Sequence, residues 1–103
     1  MGLMNEKVVV VTGGGNGIGR AYCQGIAKEG GAVVVGDING AAADGVAKAI
    51  ADSGGKALSV QVDVASSASC LDMAKVALES FGKIDGLINN AAIFMRGTIS
   101  RQS

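Results

Sequence analysis

Glycines at positions 13, 14, 15, 17 and 19, preceded by Thr12 and interrupted by Asn16 and Ile18, form the stretch whose spacing most constrains what this chain can do chemically. Val8 to Val11 precede them as a buried strand, and from Ile18 onward apolar residues recur with a helical period. A strand that ends in glycines and restarts as a helix exposes main-chain N–H groups at a helix N-terminus, where an anion is favoured. Lacking side chains, Gly13 permits a tight turn, Gly17 the close approach of a pyrophosphate, and Gly19 close contact between helix and strand. With Asn16 and Ile18 completing the loop, this reads as a dinucleotide site. A glycine run alone is weak evidence, because turns collect glycine for steric reasons.

Three further segments strengthen the reading. Asp37, with Ile38 beside it, closes the second apolar run roughly 20 residues beyond the glycines, where a dinucleotide site needs a carboxylate to accept from the adenosine ribose. An Asp in that place also suits a simple turn ahead of Asn39-Gly40. The same carboxylate repels a 2′-phosphate, and no Arg or Lys lies in the glycine loop or directly after Asp37. NAD is therefore expected in preference to NADP. Asp63 and Val64 follow a third apolar run, where Asp63 can accept from the adenine amino group while the Val64 N–H donates to the ring. A capping role for Asp63 at the next helix is the plainer alternative. Asn89, Asn90, Ala91 and Ala92 follow a fourth run. The small alanines let the backbone pass close to a ribose, whereas the asparagines equally suit tying strands together.

The elements that must position these residues alternate in type. Strands are expected at 7–12, 32–36, 58–64 and 84–90, and helices at 18–29, 41–53 and from Ser66 or Ser67 to Phe81. The expected buried stripes are Ile18, Tyr22 and Ile26; then Ala43, Val46 and Ile50; then Leu71, Ala74, Leu78 and Phe81. Such alternation implies βαβ units with right-handed crossovers: an α/β, Rossmann-type doubly wound parallel sheet, cut to about four strands and three helices. Ligands in such sheets bind beyond the carboxyl ends of the strands where strand order reverses, here between the first and fourth. Residues 1–103 are thus a partial dinucleotide-binding domain, with 91–103 a loop or the start of a further element.

Composition narrows the class. Apolar residues make up 49% of the 103 and charged ones 17%, which predicts a packed core. Nine basic residues balance nine acidic ones, so no global field draws the chain to nucleic acid or to anionic lipid. The longest aliphatic runs are too short for a membrane span or a signal sequence, and a cytoplasmic location is expected. Cys23 and Cys70 lack CxxC spacing and the chain has no His, so two inert, partly buried thiols are expected and no metal site.

Taken together, Thr12–Gly19 (TGGGNGIG), Asp37, Asp63-Val64 and Asn89–Ala92 (NNAA) resemble the short-chain dehydrogenase/reductase family over nearly all of residues 5–95. Ala92 stands where that family usually has Gly, a mild departure. The resemblance implies an NAD-dependent oxidoreductase moving hydride between nicotinamide and a secondary alcohol or ketone, acting on a small molecule and assembling as a homo-oligomer at full length. It also implies that Asn89 stabilises the central sheet and that the backbone near Ala91 lines the cofactor. Family members are much longer, and their catalytic Ser, Tyr-x-x-x-Lys pair and helix Asn lie in the part not represented here. Tyr22, the only tyrosine, is followed four residues on by Ile26 instead of Lys, and its helical spacing predicts a core role. No catalytic residue is expected in these 103. Ile93, Phe94 and Met95 hint at an apolar wall of the substrate pocket. A non-catalytic nucleotide-binding module fits the chain as well. An S-adenosylmethionine-binding domain would carry an acid where Thr12 stands, and a P-loop would need Gly-Lys-Ser/Thr.

Overall fold

The computed structural model describes residues 4–15 and 17–90. They run β1 (Val8–Thr12), α1 (Gly17–Lys28), β2 (Ala32–Asp37), α2 (Gly40–Asp52), β3 (Lys56–Gln61), α3 (Ser67–Phe81) and β4 (Gly86–Asn89). The four strands are parallel in the order β3-β2-β1-β4, so the reversal of strand order falls between β1 and β4. Val9 and Val11 of β1, with Val33 and Val35 of β2, face Cys23 and Ile26 of α1 and Ala43, Val46, Ala47 and Ile50 of α2. Val10 and Val34 point the other way, towards Met73 and Ala77 of α3 and Val62. Period-2 alternation within an all-valine run thus feeds both layers, which is why these strands are apolar throughout.

Local chemistry sets the boundaries. Asn39 caps α2, its side-chain oxygen accepting from Ala42 N at 3.0 Å, and Ser66 caps α3 by accepting from Ser69 N at 3.2 Å. Gly30 and Gly54 follow α1 and α2 with φ of 94° and 93°, a region open to glycine at little cost. Asp85 fixes the entry to β4: its Oδ2 accepts from Val8 N at 2.7 Å while its own N–H donates to Val8 O at 2.7 Å. The strand register across β1 and β4 then pairs Thr12 with Asn89.

Two expected helix faces are turned from their predicted positions. On α1 the buried residues are Gly19, Cys23 and Ile26, while Ile18 is 65% and Tyr22 39% exposed, so Tyr22 is not a core residue. The bare Gly19 lets the helix lie directly against the β1 turn, and that contact outweighs the larger apolar side chains beside it. On α3 the buried residues are Met73 and Ala77; Leu71 is 65% and Leu78 49% exposed, and Phe81 packs only partly. The methyl end of Met73 occupies the notch over Gly36, where a Cβ would collide with it. β3 also ends at Gln61, earlier than expected, although Val62 remains buried beyond it.

Candidate functional site

The carboxyl ends of β1, β2 and β4 converge on the glycine loop. Gly13 has φ of 68° and Gly17 of 59°, backbone conformations that side-chain-bearing residues rarely adopt. Gly14 N donates to Gly36 O at 2.9 Å, and Gly15 N donates to Asp37 Oδ2 at 2.9 Å. A Cβ on Gly15 would lie 2.7 Å from that carboxylate oxygen and 2.7 Å from the Ala42 methyl group. The first two N–H groups after Gly13 are therefore taken by β2. The first N–H groups of α1 lack an acceptor one helical turn earlier.

Gly17 and Gly19 differ sharply in what surrounds them. Among the described residues outside its own helix, a Cβ on Gly17 would meet nothing within 4 Å. A Cβ on Gly19 would run into the Gly13 carbonyl and come within 2.9 Å of Asn90 Nδ2. Gly17 thus differs from Gly19, which is bare because helix and turn touch.

Asp37 stands beside the loop, with Oδ1 accepting from Asn39 N at 3.0 Å as well. It is both turn former and loop anchor, and a carboxylate with about four acceptor sites retains capacity for further donors. Ile38 is 65% exposed next to it, and its carbonyl accepts from Gln61 Nε2 at 3.0 Å. Thr12, only 6% exposed, donates its hydroxyl to Asn89 Oδ1 at 2.8 Å, tying β1 to β4. Asn90 Nδ2 donates to Gly13 O at 3.1 Å. The hydrogen bonds of Asp63 are local. Its Oδ1 accepts from Ala65 N at 2.9 Å and its N–H donates to Ser69 Oγ, a local turn ahead of the Ser66 cap, so Asp63 is not the capping residue of α3. Val64 borders an apolar hollow of about 190 Å³ between α3 and β4, with Thr12, Met73, Leu87 and Asn89. Asn16, Ala91, Ala92 and Ile93–Met95 lie outside the described residues.

The two cysteines part company. Burial pushes the Cys23 thiol up to about 12, and its Sγ faces Gly14 O at 4.0 Å, so it packs as a neutral group beneath the loop. Cys70 is exposed, not partly buried as expected. A larger hollow of about 600 Å³ between the C-terminal ends of α1 and α2 lies towards the opposite end of the strands, away from this cluster. No helix among the described residues is long and apolar enough to cross a membrane. The sequence reading assigned no role to Gly15 or Thr12. A glycine facing a carboxylate across a β-turn-α bend carries no local signal; only the fold brings the two together.

The family model for short chain dehydrogenases matches residues 7–103. The chain belongs to that family. An oxidoreductase of Mycobacterium tuberculosis is 49% identical over 92 residues, covering 89% of this chain and 37% of the relative. Among solved structures, the hydroxysteroid dehydrogenase from Escherichia coli superposes with a TM-score of 0.82 at 36% identity, over 84% of this chain and 36% of that one. A short chain dehydrogenase/reductase from Burkholderia phymatum in complex with NAD gives a TM-score of 0.80 at 33% identity, over 84% of this chain and 31% of that one. This family member thus spans only about a third to two-fifths of the length of those proteins.

Proposed function

We propose that the chain is the NAD(H)-binding part of a short-chain oxidoreductase that transfers hydride between nicotinamide and a secondary alcohol or ketone. The observation that carries this reading is the bend at Gly17: a left-handed backbone that favours glycine, no described residue outside its own helix within 4 Å of where a Cβ would point, and first-turn N–H groups of α1 at the point where strand order reverses. A diphosphate fits such a place because its charge meets the positive end of the helix dipole and its oxygens find main-chain donors. Asp37 at the end of β2 would accept from the adenosine ribose hydroxyls and disfavour a 2′-phosphate, so NAD is preferred over NADP. Ile38, Asp63 and Val64 would border the adenine, and Asn90 to Ala92 the nicotinamide-side ribose. When bound, the cofactor supplies the hydride acceptor or donor; these residues bind and orient it. The reduction or oxidation itself relies on residues outside this chain's 103, which by themselves are inactive in this reading.

The hydroxysteroid dehydrogenase and the NAD complex among the similar structures support a nicotinamide cofactor and a secondary-alcohol chemistry. A small-molecule substrate, a homo-oligomeric assembly and a cytoplasmic location complete the proposal. The test is titration of the protein that carries this chain with NADH, followed by competition with NAD and NADP. Saturable NADH binding displaced more readily by NAD supports the reading. No binding of any of the three overturns it.

A further inference from the structure

A third hollow, of about 270 Å³, is bordered by Lys7, Lys56 and Lys83 together with Asn5, Glu6 and Phe81. Lys56 opens β3, Lys7 directly precedes β1, and Lys83 precedes β4, so the hollow lies at the amino ends of the parallel strands. The length of β1 puts it about 15 Å from the glycine loop, too far for one diphosphate to touch both. The turn that carries Lys7 is strained. Lys7 N donates to Met4 O at 2.9 Å, which puts Glu6 at the third position of a turn, and Glu6 has a φ of 65° where glycine or asparagine is usual. Met4 N on Glu29 O at 3.0 Å and Ala32 N on Lys7 O at 2.8 Å bind this turn to its neighbours. Strain of this kind persists only where the surroundings hold it, and here it fixes where Lys7 leaves the main chain.

Local needs do not account for these lysines. The end carbonyls of α1 at Ile26, Ala27 and Glu29 accept from the main-chain N–H groups of Gly31, Gly30 and Met4, so they are capped without an ammonium group. Lys83 lies 3.3 Å from Asp85, but among the described residues no carboxylate comes within ion-pair distance of Lys7 or Lys56. Even with Asp85 and Glu6 each offsetting one charge, one positive charge stays unbalanced. We infer that this hollow is an anion site, separate from the dinucleotide site, in which Lys7, Lys56 and Lys83 hold a compact phosphoryl anion of the pyrophosphate class. Ammonium groups offer point charges with three donors each and no planar fork, so they select charge density, which a phosphoryl group carries in a small volume. The hollow is also smaller than the roughly 300–1,000 Å³ of pockets for drug-sized ligands, which favours a small ion over a nucleotide.

The test is calorimetric titration with pyrophosphate of the wild-type protein carrying this chain, of Lys7→Gln, of Lys56→Gln and of the double variant. All leave the Lys83–Asp85 pair in place, and both substituted residues are exposed. The inference predicts one site saturating at about millimolar pyrophosphate or below. Each single substitution should weaken it roughly two- to fivefold, with the losses multiplying in the double variant, while NADH affinity stays unchanged throughout. Absence of saturation in wild type, equal pyrophosphate affinity in the double variant, or displacement of the pyrophosphate by NADH overturns the inference. None of these results bears on whether NADH itself binds, so the dinucleotide reading stands or falls separately.

Discussion

Replacing Gly19 by alanine adds one methyl group at the tightest contact of the loop. The new Cβ would overlap the Gly13 carbonyl and crowd Asn90 Nδ2, and the nearer obstacle is main chain, while the Asn90 amide is held by its bond to Gly13 O. Helix α1 must therefore move off the β1 turn, or the turn must yield. Overpacking of this kind costs about 1–3 kcal/mol, and disturbing the Asn90 bond costs about 1 kcal/mol more. Against these stands the gain of about 0.5–1 kcal/mol from placing Ala instead of Gly in a helix. The net expectation is a loss of about 1–3 kcal/mol. A shift of the first-turn N–H groups should also weaken NADH binding by about tenfold or more, the equivalent of about 1.4 kcal/mol. Gly25→Ala in the same helix is the matched control: a Cβ there meets nothing within 4 Å, so the variant should gain about 0.5–1 kcal/mol and bind NADH as wild type does. Urea denaturation and NADH titration of both variants are the assay. A Gly19→Ala protein as stable as Gly25→Ala, with wild-type affinity, would refute the claim that helix and turn must touch.

Other expectations are as direct. Gly17→Val should abolish cofactor binding: the side chain would project where the diphosphate is proposed to sit, with no described residue outside its own helix within 4 Å of the new Cβ, while the left-handed backbone, at a φ of 59°, adds about 1–2 kcal/mol of strain. Equal NADH affinity would reduce the loop to a turn. Asp37→Ala should weaken NAD binding about tenfold or more and move the NAD-to-NADP affinity ratio towards one, because it removes the acceptor for Gly15 N as well as the charge; an unchanged ratio in calorimetric titration contradicts this. Asp85 accepts from Val8 N, with Lys83 at 3.3 Å and Lys7 nearby, and these hold its carboxyl below the ordinary range. Its stabilisation is then complete above the unfolded value of about 4 and is lost as pH falls through the lower folded value. Asp85→Asn should accordingly flatten the acid limb of a urea-midpoint profile, and a profile parallel to wild type counts against the clasp.

Element order, the reversal of strand order between β1 and β4, and the convergence of the glycine loop with Asp37 were legible because each rests on local rules: valine runs, glycine breaks, and an acid at a strand end. The helix faces were not. Ile18, Tyr22, Leu71 and Leu78 are larger than Gly19, Cys23 and Ala77, yet the smaller residues are buried. Closeness of approach decided the matter: Gly19 admits the Gly13 carbonyl, and Gly36 admits Met73. Hydrophobic periodicity registers side-chain size and is blind to a notch on the opposing strand. The double duty of Asp37 was equally hidden, since Gly15 becomes its partner only when β1 and β2 lie side by side.

The central claim is best tested by a crystal structure of the protein carrying this chain with NAD bound. The account predicts diphosphate oxygens about 2.7–3.2 Å from main-chain nitrogens of the first turn of α1, above Gly17, with the adenosine ribose hydroxyls on Asp37. A diphosphate bound elsewhere, or a Gly17 cradle closed by protein atoms in that complex, would contradict it.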